Sequence, residues 1–419
     1  FTDHMFLMDY TDREGWHNAR IVPFGPISVS PAASVLHYGT EVFEGLKAYR
    51  RPDGAVQLFR PWENVARLNR SCDRLGLPRI DERDGLQAIR ELVKTDAVWV
   101  PSAPGTSLYI RPFLYSTDPT LALHGVHEAS FVIILSPSGS YFSDGLKPVP
   151  IMVETEDVRA VRGGTGEAKC GGNYGAANRA GERAEAKGYS QVLWLDGVER
   201  KYVEEGGGMN VMFKINGTVV TPMLTGSILR GVTRKSCIEL LKSWGVPVEE
   251  RLLSVDELFE AAKNGTLEEA WCVGTAAVIS PIGELAWNDD ILRLVIDGRN
   301  IENIPGDLQI GAEVGRAVGV DITGVAHNLR QAGNVFPGLH QALLVADHAA
   351  RIIVFQRQRH GHVHINRLFD FAGAADKHVL HIHVDADGAV PVGVISRRRA
   401  VVRRAAITGN QHEHGAQKS

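Results

Sequence analysis

The residue best suited to covalent chemistry is Lys169, which stands in the glycine-rich segment GGTGEAKCGGNYGAA, residues 163–177. A lysine that forms a Schiff base must lose its proton and reach a carbonyl carbon, so it needs partial desolvation and room for a flat cofactor. Glycine leaves such room because it has no Cβ. The segment alone also fits a surface lysine in an ordinary loop, so the meaning of Lys169 depends on other residues.

Two small-residue segments are candidates for binding an anion such as a phosphate. Gly231 leads into a helical pattern, which would leave amide groups free at the positive end of the helix dipole. The segment VGTAAVISP, residues 273–281, adds a hydroxyl and close backbone amides. The groups concerned are the Val232 and Thr233 amides, the Thr275 hydroxyl, and the backbone of Ala276 and Ala277. The alternative is an ordinary junction between a loop and a helix.

A carboxylate is available as a partner for a protonated ring nitrogen. Glu204 and Glu205 precede three glycines in KYVEEGGGMN, between two apolar strand-like runs. A partly buried carboxylate paired with a pyridinium would keep the ring cationic and an effective electron sink. A solvated turn glutamate is the alternative. Arg60, in LFRPW, could bind a phosphate through two hydrogen bonds, although most arginines near a helix start are surface residues.

Periodicity predicts the elements that would position these groups. EVFEGLKAY and AVQLF are strand-like, whereas PWENVARLNRSCDRL and DGLQAIRELVKT are helix-like, so the first 140 residues indicate an α/β domain. A helix is expected from about Tyr174 to Lys187, ended by Gly188. Asn216-Gly217 predicts a type I′ hairpin between VMFKI and TVVTP, and Ser254 with Glu257 has capping-box spacing.

Bulk properties favour a globular protein without nucleic-acid or membrane partners. The 419 residues are 44% hydrophobic and carry a formal net charge of −4. No run of 18 apolar residues and no charged-then-apolar leader is readable, and we expect a cytoplasmic protein. The four cysteines form no CxxC pair, which argues for a reducing compartment and against structural zinc. No metal site is assigned.

The composition changes beyond about Asp290. Eleven of the 16 histidines lie there, lysine is nearly absent, and no tryptophan occurs. HGHVHI and HIHVD would place His360, His362 and His364, and then His381, His383 and Asp385, on one face of a strand, so a metal site is conceivable. An appended functional domain is a second interpretation. A non-native reading frame or a disordered tail is the third, and it is the one we favour.

Nine motifs in order resemble the branched-chain amino-acid aminotransferases, which are class IV enzymes of pyridoxal-phosphate fold type IV. The resemblance runs from Phe1 to about Leu285. It rests on FTDHMF, WHNARI, EVFEGLKAYR, FRPWENVARL, TSLYIRP, GGTGEAKCGGNYGAA, YVEEGGGMN, GSILRGVTRKS and VGTAAVISPIG. It implies a two-domain α/β (α+β) fold similar to D-amino-acid aminotransferase. We expect a small α/β domain at 1–142, a linker at 143–149, a large cofactor-binding domain at 150–290 and an atypical tail at 291–419.

The resemblance also implies roles for individual residues. Lys169 would form the Schiff base, an aldimine, with pyridoxal 5′-phosphate and then move the substrate proton. The implied cofactor-binding residues are Arg60, Lys169, Tyr174, Glu205, Leu229, Val232, Thr233 and Thr275. The implied substrate-binding residues are Tyr38, Phe43, Tyr109, Arg111, Tyr141, Ala276 and Ala277. Arg111 would let an apolar pocket accept glutamate as well.

The implied reaction is ping-pong transamination of leucine, isoleucine and valine with 2-oxoglutarate, giving branched 2-oxo acids and glutamate in a homodimer. Hydrophobic fit separates these three side chains only weakly, so all three should be used. A D-amino-acid or amine transaminase, an aminodeoxychorismate lyase and a chain made inactive by its C-terminus are the alternatives. Arg230 and Gly206 depart from the usual family residues, and the C-terminal helix of the family is expected to be missing.

Overall fold

A computed structural model describes most of the first 300 residues and part of the remainder. The described residues are 1–139, 148–276, 278–296, 299–300, 342–346, 351–357 and 363–370. Chain contacts group residues 1–327 into one unit and residues 328–419 into a second, and each is described by itself. The predicted linker at 143–149 lies mostly outside the described residues, and the predicted domain bounds stay predictions.

The first sheet has seven strands, and every pairing in it is antiparallel. Its order is β2-β1-β7-β6-β4-β5, and β3 pairs with β6. The strands are β1 (His4–Thr11), β2 (Gly15–Pro23), β3 (Glu41–Phe43), β4 (Leu46–Arg50), β5 (Val56–Leu58), β6 (Ser107–Ser116) and β7 (Glu128–Ser138). The helices of this part are α1 (Ser34–Tyr38), α2 (Pro61–Leu75) and α3 (Glu82–Thr95), followed by a 3-10 turn at Ala97–Trp99.

Helix α2 has the expected start and end. Pro61 occupies its first turn, where the missing N–H costs nothing, and Gly76 follows the helix in the left-handed conformation. Val65, Leu68 and Cys72 form an apolar stripe at spacings of three and four residues, and all three are buried in the core of the first sheet. Burial of this stripe therefore fixes which way the other faces of α2 point.

The second sheet has nine strands among the described residues and contains a closed ring. The order is β10-β9-β8-β15-β14-β11-β12-β13, β16 pairs with β15, and a β10–β11 pairing closes the ring. The strands are β8 (Val149–Val153), β9 (Gln191–Leu195), β10 (Val203–Gly206), β11 (Met209–Ile215), β12 (Thr218–Pro222), β13 (Val248–Arg251), β14 (Leu267–Gly274), β15 (Val278–Trp287) and β16 (Asp290–Arg293). The helices are α4 (Gly171–Gly175), α5 (Asn178–Ala186), α6 (Val232–Ser243) and α7 (Val255–Lys263).

Two local predictions in this part are confirmed. Asn216 and Gly217 both have positive φ, 49° and 74°, and Ile215 pairs with Thr218, as a type I′ turn requires. The Ser254 side chain accepts a hydrogen bond from the Glu257 N–H at the start of α7. The Glu257 carboxylate binds Arg251, so the Ser254 contact forms one half of the capping box.

Two element predictions were wrong in detail. EVFEGLKAY does not form one strand, because the chain breaks at Glu44 and Gly45 between β3 and β4. The single helix predicted from Tyr174 to Lys187 is two helices, α4 and α5, separated at Ala176 and Ala177. Both breaks lie next to residues that contact Lys169, as described below. At these points the chain packs against segments that are distant in sequence.

Past Arg293 the described residues form short antiparallel strands. β17 (Val295–Ile296) pairs with β18 (Arg299–Asn300). In the second unit, β19 (Ala342–Ala346), β20 (Arg351–Arg357) and β21 (Val363–Asp370) form a three-stranded sheet. The histidines and aspartate of the conceivable metal site lie outside the described residues, except that the backbone of His364 belongs to β21. The interpretations of the tail stay predictions.

The described residues contain neither a membrane-spanning helix nor a metal-binding cluster. None of their helices combines the length and apolar character that a membrane crossing requires. They also contain no group of three or more histidine, cysteine, aspartate or glutamate side chains arranged to hold a metal ion. All four cysteines, Cys72, Cys170, Cys237 and Cys272, are free and buried.

Candidate active site

The glycine-rich loop that carries Lys169 is held at several backbone positions. The Lys169 N–H donates to Ser71 Oγ at 2.9 Å, and Arg74 donates to the Gly163 and Gly164 carbonyls. The buried Asn173 side chain donates to two further carbonyls of the loop, each at 2.8 Å. A Cβ on Gly166 would lie 2.3 Å from the Ser227 carbonyl oxygen, so this close approach requires glycine. The loop therefore presents Lys169 from a fixed backbone.

The Lys169 amine is poised to act as a base. Its Nζ donates to the Tyr174 hydroxyl at 2.6 Å and lies 4.8 Å from the centre of the Phe43 ring. Burial, followed by the nearby Arg67 cation, lowers the pKa of Lys169 to about 8, and the Glu44 carboxylate acts in the opposite direction. Burial and the charge of Glu205 raise the pKa of Tyr174 to about 12. At neutral pH a larger fraction of Lys169 is therefore unprotonated than of an ordinary lysine.

Phe43, Tyr109 and Arg111 form a wall beside this amine. The Phe43 ring lies 5.0 Å from the Tyr174 ring, and the Phe43 N–H donates to the Lys169 carbonyl at 2.9 Å. Arg111 Nη2 donates to the Tyr109 hydroxyl at 2.8 Å, and its guanidinium carbon lies 4.8 Å from the centre of the Phe43 ring. Arg111 Nε is buried and has no hydrogen-bond partner among the described residues. One cation with a spare donor therefore lies at an aromatic wall.

Three predicted substrate-binding residues are not placed in this wall by the structure. Tyr38 ends α1, is 44% exposed, and its hydroxyl donates to the Leu121 carbonyl. The prediction that Tyr38 lines the side-chain pocket thus receives no support from its own contacts in this chain. Tyr141 and Ala277 lie outside the described residues. Ala276 is described, and its carbonyl accepts a hydrogen bond from Lys47 Nζ at 2.8 Å.

Glu205 and Glu204 occupy different surroundings although they are adjacent in β10. Glu205 is 2% exposed, accepts a hydrogen bond from the Leu229 N–H at 2.6 Å, and lies 3.2 Å from Arg159 Nε. Burial raises the pKa of Glu205, while Arg159, the Leu229 hydrogen bond and Lys169 oppose that rise. Glu204 instead accepts from the Ser227 hydroxyl. The charge of Lys169 acts on the pKa of Glu205, which links this carboxylate to the reactive amine.

The start of α6 has free amide groups. Its N-cap residue, Gly231, provides no side-chain cap, and a Cβ there would lie 1.9 Å from Asn210 Oδ1. Val232, Thr233 and Thr275 line one cavity. The three predicted ligands from two distant segments are therefore brought together, in a place where the helix dipole favours an anion.

Arg60 reaches the same helix. Arg60 is 7% exposed and precedes α2 with a φ of 45°. Its Nη1 donates to Ser236 Oγ at 2.7 Å and to Glu239 at 2.9 Å. Both partners belong to α6, so Arg60 lies against the helix that begins at the proposed anion site.

Four charged residues of the site were missed by sequence reasoning. They are Glu44, Lys47, Arg67 and Arg159, and all are less than 9% exposed. A usable signal existed for two of them, because Glu44 and Lys47 interrupt the apolar pattern of EVFEGLKAY. Burial lowers the pKa of Lys47 to about 8. This lysine lines the same cavity as Thr233 and Thr275.

The two departures from the family pattern have structural settings. A Cβ on Gly206 would lie 2.7 Å from the Cys272 sulfur, so the larger residue usual in the family would clash with Cys272 here. Arg230 is largely exposed, and its guanidinium lies 3.7 Å from the Glu167 carboxylate of the Lys169 loop. Neither departure removes a group of the site.

A protein-family comparison accounts for this arrangement. Residues 41–285, more than half of the chain, match the model of amino-transferase class IV. The chain belongs to this family. Class IV aminotransferases are pyridoxal-phosphate enzymes, and the resemblance noted from the motifs is confirmed at the family level.

The match to named relatives covers most of the length of each relative. Branched-chain-amino-acid aminotransferase 2 of Bacillus subtilis is 58% identical over 294 residues, which are 70% of this chain and 81% of that protein. The branched-chain-amino-acid aminotransferase of Mycolicibacterium smegmatis is 48% identical, over 69% of this chain and 80% of that protein.

Solved structures agree on the fold. The branched-chain amino-acid aminotransferase of Escherichia coli is 26% identical, with a TM-score of 0.61 over 78% of this chain and 95% of its own. The enzyme from Thermoproteus uzoniensis, solved with norvaline, gives the same identity and TM-score over 78% of this chain and 98% of its own. The predicted fold class is confirmed.

Proposed function

We propose that this chain transfers the amino group of leucine, isoleucine or valine to 2-oxoglutarate, using pyridoxal 5′-phosphate. The observation that carries the proposal is the Lys169 amine, which lies against Tyr174 and Phe43 with Arg111 across the same ring. The names of relatives 48–58% identical support the same substrates.

The residues present fit the phosphate and the ring nitrogen of this cofactor. The uncapped start of α6, with Gly231 required by Asn210, provides an anion cradle. We propose that the Val232 and Thr233 amides, the Thr275 hydroxyl and Arg60 hold the phosphate there. Glu205 would hold the ring nitrogen, because it is a buried carboxylate whose position is fixed by a hydrogen bond from the Leu229 N–H.

The remaining ring contacts fall to Tyr174 and Leu229. Tyr174 would donate to the phenolic oxygen of the ring, since burial keeps its hydroxyl protonated. Leu229 would pack against the ring, and Glu205 already fixes its backbone. When bound, the cofactor supplies an electron-accepting ring for the bonds at the substrate α-carbon.

Lys169 would carry the proton in this reaction. A lysine with a pKa near 8 exchanges its proton readily around neutral pH, which is the condition for efficient general acid and base catalysis. Its Nζ donates a hydrogen bond to the Tyr174 hydroxyl oxygen. Held by the loop backbone, the amine stays at one place while substrate binds against Phe43.

The wall explains how one pocket would take two kinds of substrate. The rings of Phe43 and Tyr109 can cover a branched aliphatic side chain, and Arg111 Nε has a free donor for the second carboxylate of glutamate. We propose that the Ala276 and Ala277 backbone receives the α-carboxylate and that Tyr38 and Tyr141 complete the pocket. No part of the reaction calls for a nucleic acid or a membrane.

We further propose that the enzyme is a homodimer in the cytoplasm. Leu36, Leu121 and Leu123 are more than 60% exposed. Leu36 belongs to α1 with Tyr38, and Leu121, in the connection between β6 and β7, accepts the Tyr38 hydrogen bond. Contact with a second copy would bury these apolar side chains. Four free buried cysteines fit a reducing compartment.

The proposal is tested by incubating the purified full chain with pyridoxal phosphate, 2-oxoglutarate and one amino acid at a time. Leucine, isoleucine and valine should each yield glutamate and the matching 2-oxo acid, and the Lys169→Ala variant should yield neither. Turnover of D-alanine in place of leucine, or no turnover by folded protein that retains the cofactor, would overturn it.

A further inference from the structure

Helix α2 buries a polar stripe next to its apolar one. The polar stripe consists of Asn64, Arg67, Ser71 and Arg74, each one residue before a member of the stripe Val65, Leu68, Cys72 and Leu75. Three of its members, Asn64, Arg67 and Ser71, are no more than 4% exposed. A helix that buries polar groups must give them partners, because an unpaired buried polar group is costly.

The partners of this polar stripe all belong to the active site. Asn64 donates to Glu44 at 2.8 Å and to the Gly45 carbonyl at 3.1 Å. Ser71 and Arg74 hold the Lys169 loop, as described above. One rigid helix of the first sheet therefore contacts both the segment after Phe43 and the loop of the second sheet that carries the reactive amine.

Arg67 lies at the centre of the polar stripe. Its Nε and Nη2 bind the two oxygens of Glu44, at 2.7 and 2.9 Å, which is a bidentate pair. Its Nη1 reaches across to the second sheet and donates to the Arg230 carbonyl at 3.1 Å. Burial of both partners leaves this geometry unscreened by water, so the pair is rigid.

The Arg230 carbonyl belongs to the phosphate loop, which we define as residues 229–233. Three backbone groups at two consecutive residues of this loop are bound by side chains. Glu205 accepts from the Leu229 N–H, Asn210 donates to the Leu229 carbonyl at 2.9 Å, and Arg67 donates to the Arg230 carbonyl. The next amides, at Val232 and Thr233, are the ones proposed to bind phosphate.

We propose that Arg67 is a positioning residue that fixes the phosphate loop and so sets the strength with which the cofactor phosphate is bound. The proposal rests on the proposed function. Glu205 and Asn210 act on Leu229 from within the second sheet, whereas Arg67 ties the loop to the first sheet through Glu44. The hydrogen bonds of Arg67 go to Glu44 and to the Arg230 carbonyl, and not to Val232, Thr233 or Lys169.

A lysine cannot replace Arg67 in this role. The guanidinium presents donors in a planar fork that satisfies Glu44 with two hydrogen bonds and the Arg230 carbonyl with a third, while an ammonium is a single compact donor group. Arg67→Lys therefore keeps the charge and loses the simultaneous contacts. Because the positive charge remains, the effect of this variant reports on position more than on electrostatics.

The experiment compares two ligands that differ only in the phosphate. Cofactor-free full-length protein is titrated with pyridoxal phosphate and with pyridoxal, and binding is followed by absorbance. For Arg67→Lys we expect the dissociation constant of pyridoxal phosphate to rise roughly 10- to 100-fold and that of pyridoxal to change less than about threefold. Arg90→Lys, the same exchange on an exposed position of α3, is the control and should change neither.

A second variant guards against misfolding. Glu44→Gln combined with Arg67→Met removes both charges together, so that no buried charge is left unpaired. It should show the same selective loss for pyridoxal phosphate, with a far-ultraviolet circular dichroism spectrum like that of the wild type. Equal losses for both ligands in folded variants, or no loss at all, would overturn the proposal. Failure of the wild type to bind either ligand would count against the proposed function instead.

Discussion

The two sides of the active site are built from different kinds of chemical group, side chains on one side and backbone groups on the other. On the first-sheet side, defined by Phe43, Tyr109 and Arg111, the groups facing the reactive amine are large side chains on strands or at their ends. On the second-sheet side, defined by the Lys169 loop, Glu205 and the phosphate loop, glycines and backbone amides dominate. Side chains can be exchanged by single mutations, whereas backbone groups cannot. Substrate choice should therefore be easier to change than cofactor binding.

The largest effect is expected on the second-sheet side. Lys169→Ala removes the amine that moves the substrate proton, and we expect kcat to fall by at least about 10³-fold. Leucine turnover by purified protein with excess cofactor measures this. The variant should still fold, since Lys169 is held through its backbone N–H and carbonyl rather than its side chain. Retention of more than a tenth of the activity would contradict the assignment.

Arg111→Met should affect one substrate class and spare the other. Loss of a charge-assisted hydrogen bond costs about 1.5 to 3 kcal/mol, so the KM for glutamate and 2-oxoglutarate should rise roughly 10- to 100-fold. The KM for leucine should stay within about threefold, because methionine keeps an apolar surface against Phe43. Steady-state kinetics with both substrate pairs is the measurement. An equal change for leucine and glutamate would show that Arg111 does not distinguish them.

Gly45→Ala tests the packing of Tyr109 on the first-sheet side. A Cβ at this position would lie 2.2 Å from the Tyr109 hydroxyl, so Tyr109 and the Arg111 hydrogen bond must shift. We expect a roughly fivefold rise in the KM for glutamate, from the loss of about 1 kcal/mol of hydrogen bonding. Cofactor affinity, measured by absorbance titration, should be unchanged. A weaker cofactor with unchanged KM would reverse the division between the two sides.

The last effect concerns stability rather than turnover. Lys47 joins the two sides of the site through its hydrogen bond to the Ala276 carbonyl. Its pKa is about 8 in the folded protein and near 10.5 when unfolded, so between these values the unfolded chain binds more protons. The free energy of unfolding of the cofactor-free wild type should therefore rise with pH relative to Lys47→Met, by roughly 2 to 3 kcal/mol from pH 8 to 10.5. Urea unfolding at several pH values tests this. A difference that does not vary with pH would contradict it.

Local chemistry made some of the molecule predictable. The Asn216-Gly217 turn, the Ser254 cap and the ends of α2 follow from neighbouring residues, because backbone sterics and capping act over a few positions. Motif order was sufficient to indicate the family and the cluster of Lys169, Tyr174 and Glu205.

The remainder depended on contacts between segments far apart in sequence. Arg67 is 23 positions from Glu44 and 163 positions from Arg230 in the sequence, and no local pattern encodes these two contacts. The polar stripe of α2 was hidden because the apolar stripe beside it already explained the helix. The role of Tyr38 in the pocket, assigned from a motif match, stays a prediction, because within this chain its hydroxyl contacts only the Leu121 carbonyl among the described hydrogen bonds.

The most direct test of the account is to follow each half of the reaction separately in the wild type, using the absorbance of the bound cofactor. Excess leucine alone and excess glutamate alone should each shift the cofactor band completely, because one wall accepts both side chains through Phe43 and Arg111. A shift with D-alanine but with neither L-amino acid, or with leucine but not glutamate, would contradict the account.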